Sequence, residues 1–115
     1  MTDNIFQSGK KFRGWYDAPF PFGRTEFNLE MESFNDQDQS FSGTGNDKQG
    51  EFKIQGKLSA GNKVEFMKSY VDGSHTNIHY EGIIEGDQVS GHYTFCYKTF
   101  LINMNIKEKF QMNVC

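Results

Sequence analysis

Apolar residues recur at every second position along most of this chain, in short segments separated by Gly, Asn and Asp turns. Such alternation lines one face of a strand with hydrocarbon and the other with polar groups, so it selects half-buried β-strands over helices. The segment 50–58 is the clearest: Phe52, Ile54, Gly56 and Leu58 alternate with Glu51, Lys53, Gln55 and Lys57. In 24–34, Phe27, Leu29 and Met31 oppose Glu26, Asn28, Glu30 and Glu32. In 63–71 the inner set is Val64, Phe66, Lys68 and Tyr70.

The remaining strands follow the same rule. A first strand covers 12–17 with Trp15 central, and a third covers 39–45 with Phe41, Gly43 and Gly45 on one face. Between the first two, Pro19 and Pro21 interrupt pairing because proline lacks a backbone donor. A two-residue turn at Gly86-Asp87 sets Gly82 opposite Gly91, Tyr80 opposite Tyr93 and Ile78 opposite Phe95, all on one face. The last strand covers 104–114 with Ile106, Phe110, Met112 and Val114 inward, and the apolar link 97–103 reads either as more of strand seven or as a short helix. About eight sequential strands joined by short turns form a meander, which closes into a single antiparallel up-and-down β-barrel and so removes its sticky edges. A two-sheet sandwich is the alternative. At 115 residues the chain makes one domain, with 1–11 set outside as a flexible leader and 12–115 as the barrel.

The composition agrees: 12 Phe and 12 Gly against 2 Pro suit pleated, half-buried surfaces and tight turns. A net charge of −3, with only Lys10, Lys11 and Arg13 clustered, argues against nucleic acid and anionic membranes as partners. Residues 1–11 lack the apolar core of a signal peptide, and no apolar run reaches membrane-spanning length. Cys96 and Cys115 are the only cysteines, which fits an intracellular, cytoplasmic protein with free thiols rather than a disulfide scaffold.

Catalysis finds little support. Nucleophilic chemistry needs Ser, Cys or Thr beside a base, yet no G-x-S-x-G elbow or Cys–His signature surrounds His75, His79 or His92. The glycine-rich stretch 43–50 leads into a strand rather than a helix, so it is not a phosphate loop. His79 and His92 share the outer face of neighbouring strands near Glu81, a pattern that exposed strand residues commonly produce; no metal or cofactor is assigned.

Lys68 stands out, since alternation turns it inward between Phe66 and Tyr70. A buried ammonium needs a partner, and Asp47 at the rim or Glu108 on the last strand can supply one. Its role is either that structural ion pair or the orientation of a ligand. Around it, Trp15, Phe27, Phe41, Phe52, Phe66, Tyr70, Tyr80, Tyr93, Phe95 and Phe110 form an inward aromatic set. Those rings suffice to fill an eight-stranded barrel, whose interior otherwise holds one small ligand.

In order along the chain, Gly14-Trp15-Tyr16-Asp17, Phe41-Ser-Gly43-Thr-Gly45, Ile54-Gln-Gly56-Lys-Leu58, Val64-Glu-Phe66-Met-Lys68-Ser-Tyr70, Tyr80-Glu-Gly82 and Gly91-His-Tyr93 resemble successive strands of the avidin and streptavidin family. The resemblance spans about residues 12–95 and implies that family's eight-stranded barrel. In the family, tryptophans wall the biotin site; here Phe66, Tyr80 and Tyr93 stand in their places, and Gly45 stands where a Tyr contacts ligand. Asp17 stands where an amide meets the biotin ureido oxygen, and its carboxylate would repel that acceptor. The fold therefore carries over better than the ligand. The run from Gly43 to Gly56, followed by Val64, Phe66, Lys68 and Tyr70, also resembles barrel domains appended to some eukaryotic F-box proteins, which implies protein recognition.

The leading expectation is a non-enzymatic barrel serving as a protein-binding or structural module, with Met67, Val71 and 97–103 as contacts. The alternative is a small-molecule carrier of the avidin or calycin type, its site at the mouth near Asp17, Phe22, Asp47, Phe66, Lys68, Tyr70, Tyr80 and Tyr93. A solid interior favours the first; a cavity of several hundred Å³ reaching the mouth favours the second.

Overall fold

A computed structural model of the chain describes residues 4–19, 22–75, 77–98 and 103–115. Eight strands follow one another: β1 (Lys11–Ala18), β2 (Gly23–Phe34), β3 (Ser40–Asp47), β4 (Gly50–Ser59), β5 (Lys63–Tyr70), β6 (Ile78–Glu85), β7 (Gln88–Lys98) and β8 (Asn103–Val114). Each pairs antiparallel with its sequence neighbour, and β8 pairs with β1, closing the barrel. The architecture is thus the up-and-down barrel that alternation implies, not the sandwich. No helix among the described residues is long and apolar enough to cross a membrane.

The β6–β7 hairpin has the expected register, with Tyr80 opposite Tyr93 and Gly82 opposite Gly91. Gly86 opens its two-residue turn at φ 61°, the left-handed conformation that a hairpin matching strand twist requires. Of the 97–103 link, Tyr97 and Lys98 extend β7 and Asn103 begins β8; 99–102 lie outside the described residues.

Inward positions bury as alternation demands. Phe27, Leu29 and Met31 from β2, Phe52 and Ile54 from β4, Val64, Phe66 and Tyr70 from β5, and Phe110 and Met112 from β8 all join one core.

Three features differ from the sequence reading. Trp15 does not enter the core: Phe12 and Tyr16 do, and Trp15 faces outward beneath Arg24, whose guanidinium carbon stands 3.6 Å from the ring centroid. Adjacent Trp15 and Tyr16 make either parity plausible locally, and Phe12 decides it, because Phe12, Gly14 and Tyr16 share a face.

The second difference lies in β2. Its register shifts between Met31 and Ser33, so Phe34, rather than Ser33, comes opposite inward Phe41. One extra residue flips every later side chain to the other face, and strict alternation has no means to anticipate that.

The third concerns the leader. Within residues 1–11, the part from 4 onward is packed rather than free. Ile5 and Phe6 are buried, and the Phe6 ring stacks on Phe41 with centroids 4.5 Å apart and tilts against Phe12. Backbone bonds from Gly9 to the Met31 carbonyl and from Met31 to the Lys10 carbonyl hold the segment along β2. Phe6 therefore plugs the end of the barrel formed by the β2–β3, β4–β5 and β6–β7 turns.

Candidate functional site

The opposite end is open. A concavity of about 330 Å³ lies among the ends of β1, β5, β6, β7 and β8, with Tyr16, Tyr70, Tyr80, Tyr93, Phe95 and Lys68 among its lining residues. Ala18, Pro19, Phe22, Gln49, His75, Ile78 and Ile106 complete its wall and rim. That volume falls at the lower end of the range of small-molecule sites. Directly beneath it, the space among Phe27, Phe52, Ile54, Phe66 and Tyr80 shrinks to about 10 Å³, room for one water at most. Larger hollows of about 730 and 630 Å³ lie against strands β1–β4, but Lys11, Arg13, Glu30, Glu51 and Lys53 line the first and Glu26, Asn46 and Lys48 the second, so they are solvated grooves of the outer face.

Polar groups converge at the floor of the mouth. Lys68 Nζ donates to Asp47 Oδ2 at 3.0 Å, with side-chain exposures of 3% and 0%. The same oxygen accepts from the Tyr16 hydroxyl at 3.1 Å and from the Tyr70 hydroxyl, while Oδ1 accepts the Gln49 backbone N–H at 2.8 Å. Of the two partners open to Lys68 from sequence, the structure selects Asp47; Glu108 instead pairs across the ladder with Tyr93. β3 ends at Asp47, and its bond from the Gln49 N–H fixes the carboxylate at the turn into β4.

The other sides of the ammonium face rings. Lys68 Nζ stands 4.2 Å from the Phe52 centroid, 4.6 Å from Tyr16, 4.8 Å from Tyr70, and 5.8 Å from Phe27 and Tyr80. Cation–π attraction strengthens on desolvation and offsets part of the burial cost.

These surroundings set the acidities. Burial drives the Lys68 ammonium down to about 8, against the opposing pull of Asp47. Burial alone would raise the Asp47 carboxyl; the Tyr70 hydroxyl, the Lys68 charge and the Gln49 N–H outweigh it and hold the group below the ordinary carboxylate value. Burial, reinforced by the Asp47 charge, pushes Tyr16 up to about 12 and Tyr70 further still. Both phenols therefore remain donors at neutral pH.

The residues marked from sequence separate into groups. Phe22, Lys68, Tyr70, Tyr80 and Tyr93 line the mouth, and Asp47 anchors its floor. Phe66 lies one layer below, stacked on Tyr80 at 4.7 Å. The Asp17 carboxylate turns outward to Arg24 at 3.0 Å, and only its backbone carbonyl meets the site, accepting from the Tyr93 hydroxyl at 2.6 Å. Phe95, Ile78 and Ile106 were placed inward by alternation but not assigned to the mouth, and Tyr16 and His75 were not marked for it at all; the parity of Phe12 signals Tyr16, but nothing in a loop signals His75.

Elsewhere, His79 approaches Glu81 at 3.6 Å and forms, with Glu65, a group whose candidate metal-binding atoms lie within 4.8 Å of one another. His92 faces Glu81 across the β6–β7 ladder but stands outside that group. Glu65 sits directly opposite Glu81, a repulsive pairing on a solvated face.

No known protein family, curated protein or solved structure matches the chain.

Proposed function

We propose that the protein is a non-catalytic carrier or receptor that holds one small, largely apolar molecule in the mouth of its barrel. The observation that carries this reading is the 330 Å³ concavity, walled by aromatic rings and floored by the Lys68–Asp47 pair, above an interior that is otherwise filled. Apolar walls with a few convergent polar groups are what small-molecule sites require. A barrel needing only stability would fill that end as it fills the other. The avidin likeness enters as a shared barrel with ligand at an open mouth, not as biotin binding. The exposed, unbridged Cys96 and Cys115 support a reducing, intracellular setting.

The protein-binding reading rests on Met67 and Val71, both exposed, and Ile83 is a further exposed apolar residue. Met67 and Ile83 share the outer face of β5 and β6, but the Glu65–Glu81 pair stands between them, which breaks the patch a partner would bury. Residues 99–102, the other contact suggested by sequence, lie outside the described residues.

Native mass spectrometry of the gently purified chain, together with a variant that fills the mouth, Ile78→Trp, tests the proposal. A small-molecule adduct on the parent chain, lost in the folded variant, is the expected result. A parent chain that carries no adduct and binds no member of a planar aromatic fragment set would overturn it.

A further inference from the structure

We infer that the mouth holds its ligand covalently, as an imine between the Lys68 ε-amine and a planar apolar aldehyde. This rests on the carrier reading above and names the chemical class of its cargo.

Among the described residues lining the cavity, Lys68 is the one primary amine, and it stands at the floor of an apolar chamber. Amines of ordinary surface lysines are almost wholly protonated at neutral pH and therefore poor nucleophiles. Desolvation is a standard way to release the lone pair. With burial holding its ammonium down to about 8, Lys68 is neutral at pH 7 far more often than a surface lysine.

The chemistry balances without a further reagent. The Nζ lone pair attacks the carbonyl carbon as the C=O π pair moves to oxygen. The resulting carbinolamine loses its hydroxyl as water, leaving a C=N bond. In sum, an ammonium and an aldehyde give a protonated imine and one water, with no change in charge and no oxidant or reductant. The product cation stays where the ammonium was: Asp47 Oδ2 is its counter-ion, and the Phe52, Tyr16 and Tyr70 faces surround it. Asp47 thus gives the product cation the same counter-charge that the ammonium has.

The walls then select the aldehyde. Tyr80 and Tyr93 stack with centroids 5.3 Å apart, and Tyr93 stacks on Phe95 at 6.2 Å with planes 11° apart. These rings, with Ile78 and Ile106, leave a space suited to one or two fused or conjugated rings. Tyr80 lines the cavity and is only 3% exposed, so its ring forms part of the wall against which a planar cargo packs.

The test treats the full chain with cinnamaldehyde at neutral pH, reduces with sodium borohydride, and maps the stable secondary amine by peptide mass spectrometry. The other nine lysines serve as internal controls. Labelling at Lys68 at least about ten-fold above any other lysine is expected, with loss of that site's label in Lys68→Arg and competition by cinnamyl alcohol, which lacks the carbonyl. Label scattered over surface lysines with Lys68 unmodified, while cinnamyl alcohol still perturbs Tyr80 and Tyr93 resonances, overturns the imine and leaves the carrier reading standing. If neither probe engages the mouth, both fail. Near-ultraviolet circular dichroism of Lys68→Arg confirms that any loss of label reflects the missing amine rather than an unfolded barrel.

Discussion

The two ends of this barrel are built from the same strands and differ in one chemical detail. At the closed end the large inward residues are hydrocarbon: Phe6, Phe12, Phe41, Val64 and Val89, each 4% exposed or less. At the open end the same strands present hydroxyls. β1 passes from Phe12 to Tyr16, β5 from Phe66 to Tyr70, and β7 from Val89 to Tyr93. A Phe ring needs only neighbours, whereas a buried Tyr needs a partner for its O–H. The closed end meets its need with a plug supplied by the chain itself. At the open end, Asp47 and the Asp17 carbonyl accept the hydroxyls of Tyr16, Tyr70 and Tyr93, and a chamber is left above them. Packing alone accounts for one end; the other needs polar groups held at fixed positions around a space.

The sharpest way to break that contrast is to hollow out the filled part. Phe66→Ala removes a ring stacked on Tyr80 and set edge-on against Phe110, and should cost about 3–5 kcal/mol in urea unfolding. A cost below about 1 kcal/mol would mean that the interior is as loose as the mouth. Next comes the floor. Asp47→Asn leaves the Lys68 ammonium buried without its counter-charge, which should cost about 3 kcal/mol by the same measurement.

A pH series separates the ends by a different route. Lys68 binds a proton less readily in the fold, at about 8, than in the unfolded chain, near 10.5. Between those values the unfolded state carries more protons, so stability should rise with pH by up to roughly 1.4 kcal/mol per unit. Above about 10 the gain reverses, because tyrosines ionise in the unfolded chain while burial holds Tyr16 at about 12 and Tyr70 higher. Lys68→Met should abolish the rise and leave the alkaline fall. A melting curve of Lys68→Met that still climbs from pH 8 to 10 would assign the effect to another group. The smallest effect belongs to the rim, where Tyr93→Phe deletes one bond to the Asp17 carbonyl and should cost about 1 kcal/mol without moving the closed end.

The closed sheet was legible in the sequence because burial has period two wherever a strand has one wet face. That rule placed Phe52, Ile54, Val64, Phe66, Lys68 and Tyr70 correctly and gave the Tyr80–Tyr93 register from two turn residues. It failed where a local event resets parity. Two adjacent aromatics hid the inward role of Tyr16, and the bulge after Met31 exchanged Ser33 for Phe34. It also could not see Phe6 as a plug, since a ring outside any strand carries no period. Part of the site was visible for a related reason: a lysine on an apolar face violates the pattern, and violations mark what packing alone does not explain. His75 was invisible because loop conformation, not alternation, fixes it, whereas the outward turn of Asp17 follows from the same β1 parity that turns Tyr16 inward.

The division of the barrel into a solid closed end and a receptive mouth is tested most directly by nuclear magnetic resonance. Backbone amide shifts of the labelled chain would be followed as indole is added as a neutral aromatic probe. Saturable shifts should cluster at Tyr16, Lys68, Tyr80, Tyr93 and Phe95, with Phe6, Phe41 and Val89 unmoved. Shifts centred on the Phe6 end, or spread along the outer faces of the strands with the mouth silent, would contradict the account.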